Sequence, residues 1–478
     1  MEDTKPRPSI RFLTDEDIRV ILEEAGRILS ELGVRVEHTR AVELLAGAGA
    51  EVGDDGRVRI GAEVIARALG SVDSGLELYD RDGAKALALG VGAAHFAPGS
   101  AAIRVHEYED GRARPSTSAD CVRFAQLVDA LPAFALQATC VVPSDVPVER
   151  ADAERLLQAL QNGLKPIVTG TTAAASFDVM RRMLACVRGG AEVLRKKPLA
   201  IFDCCPTSPL SWSELTCATL VGCAESGIPA ELVSVPMTGA TAPVTLRGAV
   251  TQHAAENLSG LAIHQLACPG APLIWGACAS AFDMRQGTSP LGAIESMMMN
   301  AACAEVGRHI GLPTHAFLAL SDSKTLDYQA GLESGTGALF AVLAGIDVVS
   351  GPGMLEFVRC QSLEKLVLDH EACRMALRAV RGIERREETV LDVVRAGLDA
   401  EQFLGVAHTR RWFREELLMP GVSIDRSTGE VWEAQGRKTA AEHAHEEVRR
   451  ILTGKASPPL EKAVAAELRK LAGSGDGA

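Results

Sequence analysis

Between residues 92 and 385 short apolar runs alternate with longer segments in which apolar residues return every three or four positions. Eight runs stand out: HFAPG (95–99), FALQATCVV (134–142), PIVTGTT (166–172), LAIFDCC (199–205), AELVSVP (230–236), PLIWGAC (272–278), THAFLAL (314–320) and DVVSGPG (347–353). Each has the length of a buried strand, and a helical pattern such as SADCVRFAQLVDAL or ADAERLLQALQNG lies between neighbours. SLEKLVLDHEACRMALRAV follows the eighth run. Several helical segments end in Gly with Pro close behind (NGLKP, SGIP, CPGAP, IGLP), a combination that stops a helix before the next strand. Strands alternating with helices predict parallel βαβ units, and eight of them predict an α/β fold, a (β/α)8 TIM-type barrel over 93–385. AAIRVHEYEDGRARP adds a hairpin behind the first strand.

The flanks read differently. Thr14-Asp15-Glu16-Asp17 is a capping signal in front of IRVILEEAGRILSELG, and RAVELLAGAGA and GAEVIARALGSV fit two more helices. EVGDDGRVRI alternates about Asp54-Asp55-Gly56 as a hairpin does. Residues 1–92 are therefore expected to form a separate N-terminal α+β extension. Residues 386–471 are helical and charged, a C-terminal helical extension, and 472–478 are expected to be a disordered tail.

Composition narrows the partners. Of 478 residues 47% are apolar and 23% charged, an ordinary globular balance, and the net charge of −13 argues against a nucleic-acid or anionic-membrane surface. No run reaches the roughly 18 apolar residues of a membrane span, and MEDTKPRPSI has no apolar signal core. Twelve cysteines sit mostly in apolar patterns, as reduced buried thiols in a cytoplasm do. Aromatics are only 4%, a small stock for any cage around a cation.

In a barrel of this kind reacting groups lie where strands run into the following loops. Those junctions hold Thr169 to Thr172, then Asp203-Cys204-Cys205-Pro206, then PMTGATAPVT with Thr238, then Trp275 followed by Phe282, Asp283 and Arg285. The seventh holds Ser321, Asp322, Ser323 and Lys324, and the eighth holds Ser350 and the stretch to Glu356. Each has a plainer alternative. Asp322 and Asp327 suit helix caps, and Trp275 suits a core. Gln329 and Glu333 share one helix face, which faces solvent unless the first turn overhangs the mouth. Cys204 and Cys205 hold one zinc ion only if the strand breaks at Pro206, because adjacent strand residues face opposite sides. His315 opens its run, at the barrel end away from the loops. GTGALF (335–340) lies inside a helical pattern rather than after a strand, and no phosphate loop or nucleophile elbow occurs.

PMTGATAPVTLRGAV, CPGAPLIWGACASAFDMRQG, LPTHAFLALSDSKTLDYQAGLE and SLEKLVLDHE, in that order, resemble the trimethylamine methyltransferase superfamily. FLGVAHTRRWFREELLMP and DRSTGEVWEAQGRK extend the similarity to about residue 450. The resemblance implies a barrel that passes a methyl group from a methylated amine to the cobalt of a separate corrinoid protein, with no cofactor tightly bound to the chain itself. Only standard residues are present, so it resembles the pyrrolysine-free branch, whose members act on quaternary amines such as glycine betaine, proline betaine and carnitine. It implies Asp322 and Glu356 as catalytic groups. Substrate contacts are then expected from Trp275, Phe282, Ser321, Tyr328, Gln329, Glu333, Ser350 and Thr238, with Phe357 a further cage member. A substrate carboxylate would fall to Arg285, Lys324 or the loop amides of Thr238 to Thr241.

One loop departs from the family pattern. Where relatives read approximately H-a-a-G-W-L-E-G-G, this chain reads SGPGMLEFVRC: Ser350 replaces the His, Met354 the Trp, and the double Gly is gone, while Glu356 remains. That implies a changed substrate or a lost transfer. Two alternatives stay open, a zinc-dependent thiol methyltransferase using Cys204 and Cys205, and a non-catalytic amine-binding relative. An apolar, Ala-rich chain of this fold is also expected to form homo-oligomers.

Overall fold

The structure is a computed structural model describing residues 8–73, 75–90, 92–173, 175–386, 389–454 and 457–473. Each of the eight runs contributes one strand: β1 His95–Ala97, β2 Gln137–Ala138, β3 Ile167–Gly170, β4 Ala200–Cys204, β5 Ala230–Ser234, β6 Leu273–Ala277, β7 Thr314–Phe317 and β8 Val348–Ser350. Every neighbouring pair is parallel, in the order β1-β8-β7-β6-β5-β4-β3-β2. A parallel bridge between Phe96 and Phe134 links the two ends, so the sheet is nearly closed into a barrel. The helices that follow the strands are α1 Ser118–Ala130, α2 Val148–Asn162, α3 Ser176–Arg188, α4 Glu214–Ser226, α5 Leu246–Ala267, α6 Ile294–His309, α7 Tyr328–Leu343 and α8 Leu363–Val380.

Strand register decides which way each side chain points. Asp203 is level with Glu231, Gly276 with His315, and Phe317 with Ser350, and these share the inner face. Their neighbours point out: Phe202 meets Phe177 of α3 edge-on at 5.2 Å, and Leu232 lies beside Gly260 of α5.

Helix α5 is buried from Ala249 to Gln265 on every side, unlike an ordinary outer barrel helix. Its outward face is covered by the N-terminal helices Asp15–Arg27, Thr39–Gly47 and Ala62–Gly70. The N-terminal elements thus share one apolar cluster with α5, Ile21 and Leu29 joining Leu258 and Trp212. They also pair with the barrel: strand Val34–Val36 runs parallel to Ser211–Trp212 in the loop after β4. Glu305 of α6 accepts the N–H groups of Phe12 (2.7 Å) and Leu13 (3.2 Å).

The hairpin expected behind the first strand is present, Arg104–His106 against Ala113–Pro115. It joins Met354–Leu355 and Cys360–Gln361 in one four-stranded sheet that ties the loop after β1 to the loop after β8. At the C-terminus, helix Ala440–Leu452 packs on α1 and α8, and Lys462–Leu471 packs on α2 and α3. Before them, helices Ala407–Glu416 and Gly429–Ala434 have no buried residue. Of the expected tail, 474–478 lie outside the described residues. Among the described residues no helix is long and apolar enough to cross a membrane.

Candidate active site

The loops after the strands surround a mouth in which Ser100, Gly170, Asp203, Val235 and Phe317 keep part of their surface and Cys205 is exposed. Below it three ionisable side chains meet on the barrel axis. Asp203 accepts a long hydrogen bond from Ser100 Oγ (3.4 Å), Glu231 is wholly buried, and His315 Nδ1 lies 3.3 Å from Glu231 Oε1. Phe317 packs edge-on against the His315 ring, centroids 5.1 Å apart. Among the described residues no N–H or hydroxyl satisfies either Glu231 oxygen, Asp203 Oδ1, either His315 nitrogen or Ser350 Oγ.

Burial dominates the electrostatics here. It raises the Glu231 carboxyl well above its usual range, with the charge of Asp203 adding to the rise. Burial also raises Asp203, which the Arg155 charge and Ser100 oppose. Both carboxyls are thus displaced toward the neutral form by the same enclosure. Burial pushes His315 down to about 3, so the imidazole is neutral. Cys205, although exposed at the surface of the mouth, sits in a deep concavity beside Asp203, and burial raises its thiol well above the usual value. The result is a site in which two acid groups lie beside a neutral imidazole.

A second acidic group lies on the rim. Asp322 does not cap the following helix. Its carboxylate accepts the N–H groups of Leu291 (3.2 Å) and Gly292 (2.7 Å) in the loop before α6. Asp327 is the cap, accepting from Ala330 N at 3.0 Å. Glu333 Oε2 accepts from Ser321 Oγ (2.6 Å) and Asp322 N (2.9 Å), and Gln329 Nε2 donates to Glu333 Oε1 at 3.0 Å. Ser321, Asp322, Gln329 and Glu333 thus form one network, and the first turn of α7 bends back onto the loop it follows.

The other expected contacts do not converge. Trp275 points away from the mouth: its indole N–H donates to Cys303 O of α6 at 3.0 Å and its ring meets His253 of α5 edge-on. It is core, because its register neighbours Leu232 and Thr314 face the helices. Tyr328 is 82% exposed. Arg285 projects into solvent and pairs with Asp283 at 2.8 Å. Phe282 is half-buried, its N–H held 3.3 Å from Thr238 Oγ1, and Thr238 N donates to Ser280 O, so Thr238 clamps the fifth loop to the sixth. Lys324 donates to Asp322 O at 2.8 Å with its ammonium over Phe357. Glu356 faces Arg104 at 3.7 Å. Ser350 is fully buried on the inner face.

Cys204 packs outward beside Cys223 and Cys205 faces the mouth, so the two thiols do not converge on one ion. His315, expected away from the site, is inside it. Glu231, His315 and Phe317 are the residues sequence reading missed. Their signal was a single charged or aromatic residue within an otherwise apolar strand, and its direction depends on register.

An eight-stranded parallel barrel with buried acid groups below its loop end defines the class of barrel enzymes. The chain belongs to the trimethylamine methyltransferase (MTTB) family, whose model matches residues 2–472. It is 30% identical over 463 residues to the trimethylamine methyltransferase MttB of Desulfitobacterium hafniense, covering 96% of this chain and 92% of that one. It is 29% identical to the glycine betaine methyltransferase of a second D. hafniense strain, covering 97% and 96%. The crystal structure of the Methanosarcina barkeri monomethylamine methyltransferase shares the fold, with a TM-score of 0.50, 10% identity and 92% and 88% of the two chains covered.

Proposed function

We propose that the chain transfers a methyl group from a quaternary ammonium compound to the Co(I) of a separate corrinoid protein that docks at the mouth. The observation that carries this reading is the Asp203–Glu231 pair on the barrel axis, which among the described residues forms no ion pair with a lysine or arginine, Arg155 acting on it only through its charge. A quaternary ammonium has no N–H to donate and is held by an anionic field and aromatic faces, which Asp203 and Phe317 supply. Membership of a family with trimethylamine and glycine betaine methyltransferases supports the same class of substrate.

The corrinoid supplies the nucleophile. As the methyl carbon is attacked, the C–N electron pair stays on nitrogen and the amine leaves neutral, so no proton is required. The work of this chain is positioning and desolvation. The neutral His315 and Ser350 bound the cavity floor, and the network of Asp322 and Glu333 holds the rim loops in register.

The test is loss of Co(I) absorbance when the purified chain, a reduced corrinoid protein and a panel of quaternary amines are mixed. At least one amine is expected to react, with Asp203→Asn lowering kcat/KM on the order of 100-fold. Ligand binding by thermal shift with no reaction across the panel replaces this reading with the non-catalytic one.

A further inference from the structure

Resting on that reading, we infer that the ammonium compound taken by this site carries no carboxylate: the substrate is a singly positive N-methyl ammonium with a neutral remainder, not a zwitterionic betaine. The groups expected to receive a carboxylate are each engaged elsewhere.

Arg285 pairs with Asp283 through two contacts, at 3.1 and 2.8 Å, and its side chain is 86% exposed, outside the mouth. Lys324 is tied to Asp322 O and stacked on Phe357 at 4.4 Å. Arg104 faces Glu356. The loop amides fare no better. Thr238 N donates to Ser280 O, Gly239 N to Ala242 O, and the N–H groups of Ala240 and Thr241 to Met237 O. Those donors close their own turn or, at Thr238, clamp the sixth loop.

Arg155 of α2 is the guanidinium whose charge reaches Asp203. It is 2% exposed, paired with Asp152 at 2.9 Å and bonded to Gly170 O at 2.5 Å. Its Nε and Nη1 have no partner but are wholly enclosed, so a carboxylate in the mouth cannot form a hydrogen bond to them. His315 on the axis and His253 of α5 behind β6 are buried and neutral. Among these described residues, therefore, neither a free cation nor a free amide of the fifth loop awaits a carboxylate, and Asp203 stands against it. A cation differs in needing only the field, which passes through the buried oxygens without a hydrogen bond. Ser100 Oγ at the mouth is a neutral polar atom that suits an alcohol or amide tail.

Choline and glycine betaine share a trimethylammonium head and differ in the tail, so they make the test. Calorimetric titration of the wild-type chain is expected to give choline, or tetramethylammonium, a Kd at least 100-fold below that of glycine betaine, and the Co(I) assay to follow the same order. Equal or tighter binding of glycine betaine overturns the inference even when it methylates cobalt, which leaves the transferase reading intact. Choline binding without cobalt methylation supports the inference and sinks the transferase reading. Failure of choline and tetramethylammonium alike to bind overturns it. Asp203→Asn and Glu231→Gln, each checked for an unchanged melting profile, are expected to erase the choline preference by at least tenfold, and a preference that survives both overturns the assignment to this pair.

Discussion

The carboxylates of Asp322 and Glu333 close on Gly292 from two sides. A Cβ placed on Gly292 would stand 2.7 Å from Glu333 Oε2 and 2.9 Å from Asp322 Oδ2. Gly292 is glycine so that its N–H can enter the Asp322 carboxylate at 2.7 Å. Gly292→Ala is therefore expected to cost on the order of 1–3 kcal/mol in urea melts and to lower turnover, because it separates the sixth loop from the seventh. An unchanged melting midpoint would show that the two acids yield without cost.

Asp322 also sets a pH dependence. Burial, reinforced by Glu333, raises its carboxyl to about 6. The folded chain then keeps this proton to higher pH than the unfolded chain, whose value is near 4. The associated stability is present in acid and is lost as pH rises from about 4 to 6. Relative to wild type, Asp322→Asn is expected to gain on the order of 3 kcal/mol between pH 4 and pH 7. A constant difference across that range would refute it.

Acid acts oppositely through the histidines. Burial lowers His253 to about 4 and His264 to about 3. The unfolded chain takes up these protons first, near pH 6.5, so stability falls as pH drops below that value. Each contributes about 1.4 kcal/mol per pH unit. His264→Leu is expected to flatten the decline in unfolding free energy between pH 6 and pH 4 by that amount, read from urea titrations at each pH.

Glu356, Phe357 and Val358 have φ of +51°, +56° and +57°, three left-handed residues in succession. Such a conformation costs about 1–2 kcal/mol per non-glycine residue, most for a β-branched one. Val358→Gly is expected to stabilise the chain by about 1 kcal/mol. A loss of stability would mean that packing of the Val358 side chain outweighs the strain.

Trp275 separates core from site. Trp275→Ala is expected to cost about 3–5 kcal/mol while leaving the ligand Kd within twofold. A large rise in Kd at unchanged stability would place the indole at the ligand after all.

Much of the architecture was legible along the chain. A run such as AELVSVP can only be a buried strand when helical patterns flank it, so period and length alone gave eight strands in their order. The rim cluster was partly legible too, since Gln329 and Glu333 had to share a helix face and Ser321 to Lys324 had to end a strand. The family resemblance rested on those same loops. The direction of each strand side chain was not legible, and there the reading of Trp275 and His315 inverted. A side chain on a strand buried on both faces meets apolar surroundings either way, so hydropathy cannot tell the axis from the helix layer. Only register, Asp203 beside Glu231 and Gly276 beside His315, turned those groups inward. The amino-acid pattern by itself determined which elements form and in what order, because strand and helix periods are local. Closure of the sheet decided which buried groups share the axis, because that depends on pairing between strands tens of residues apart.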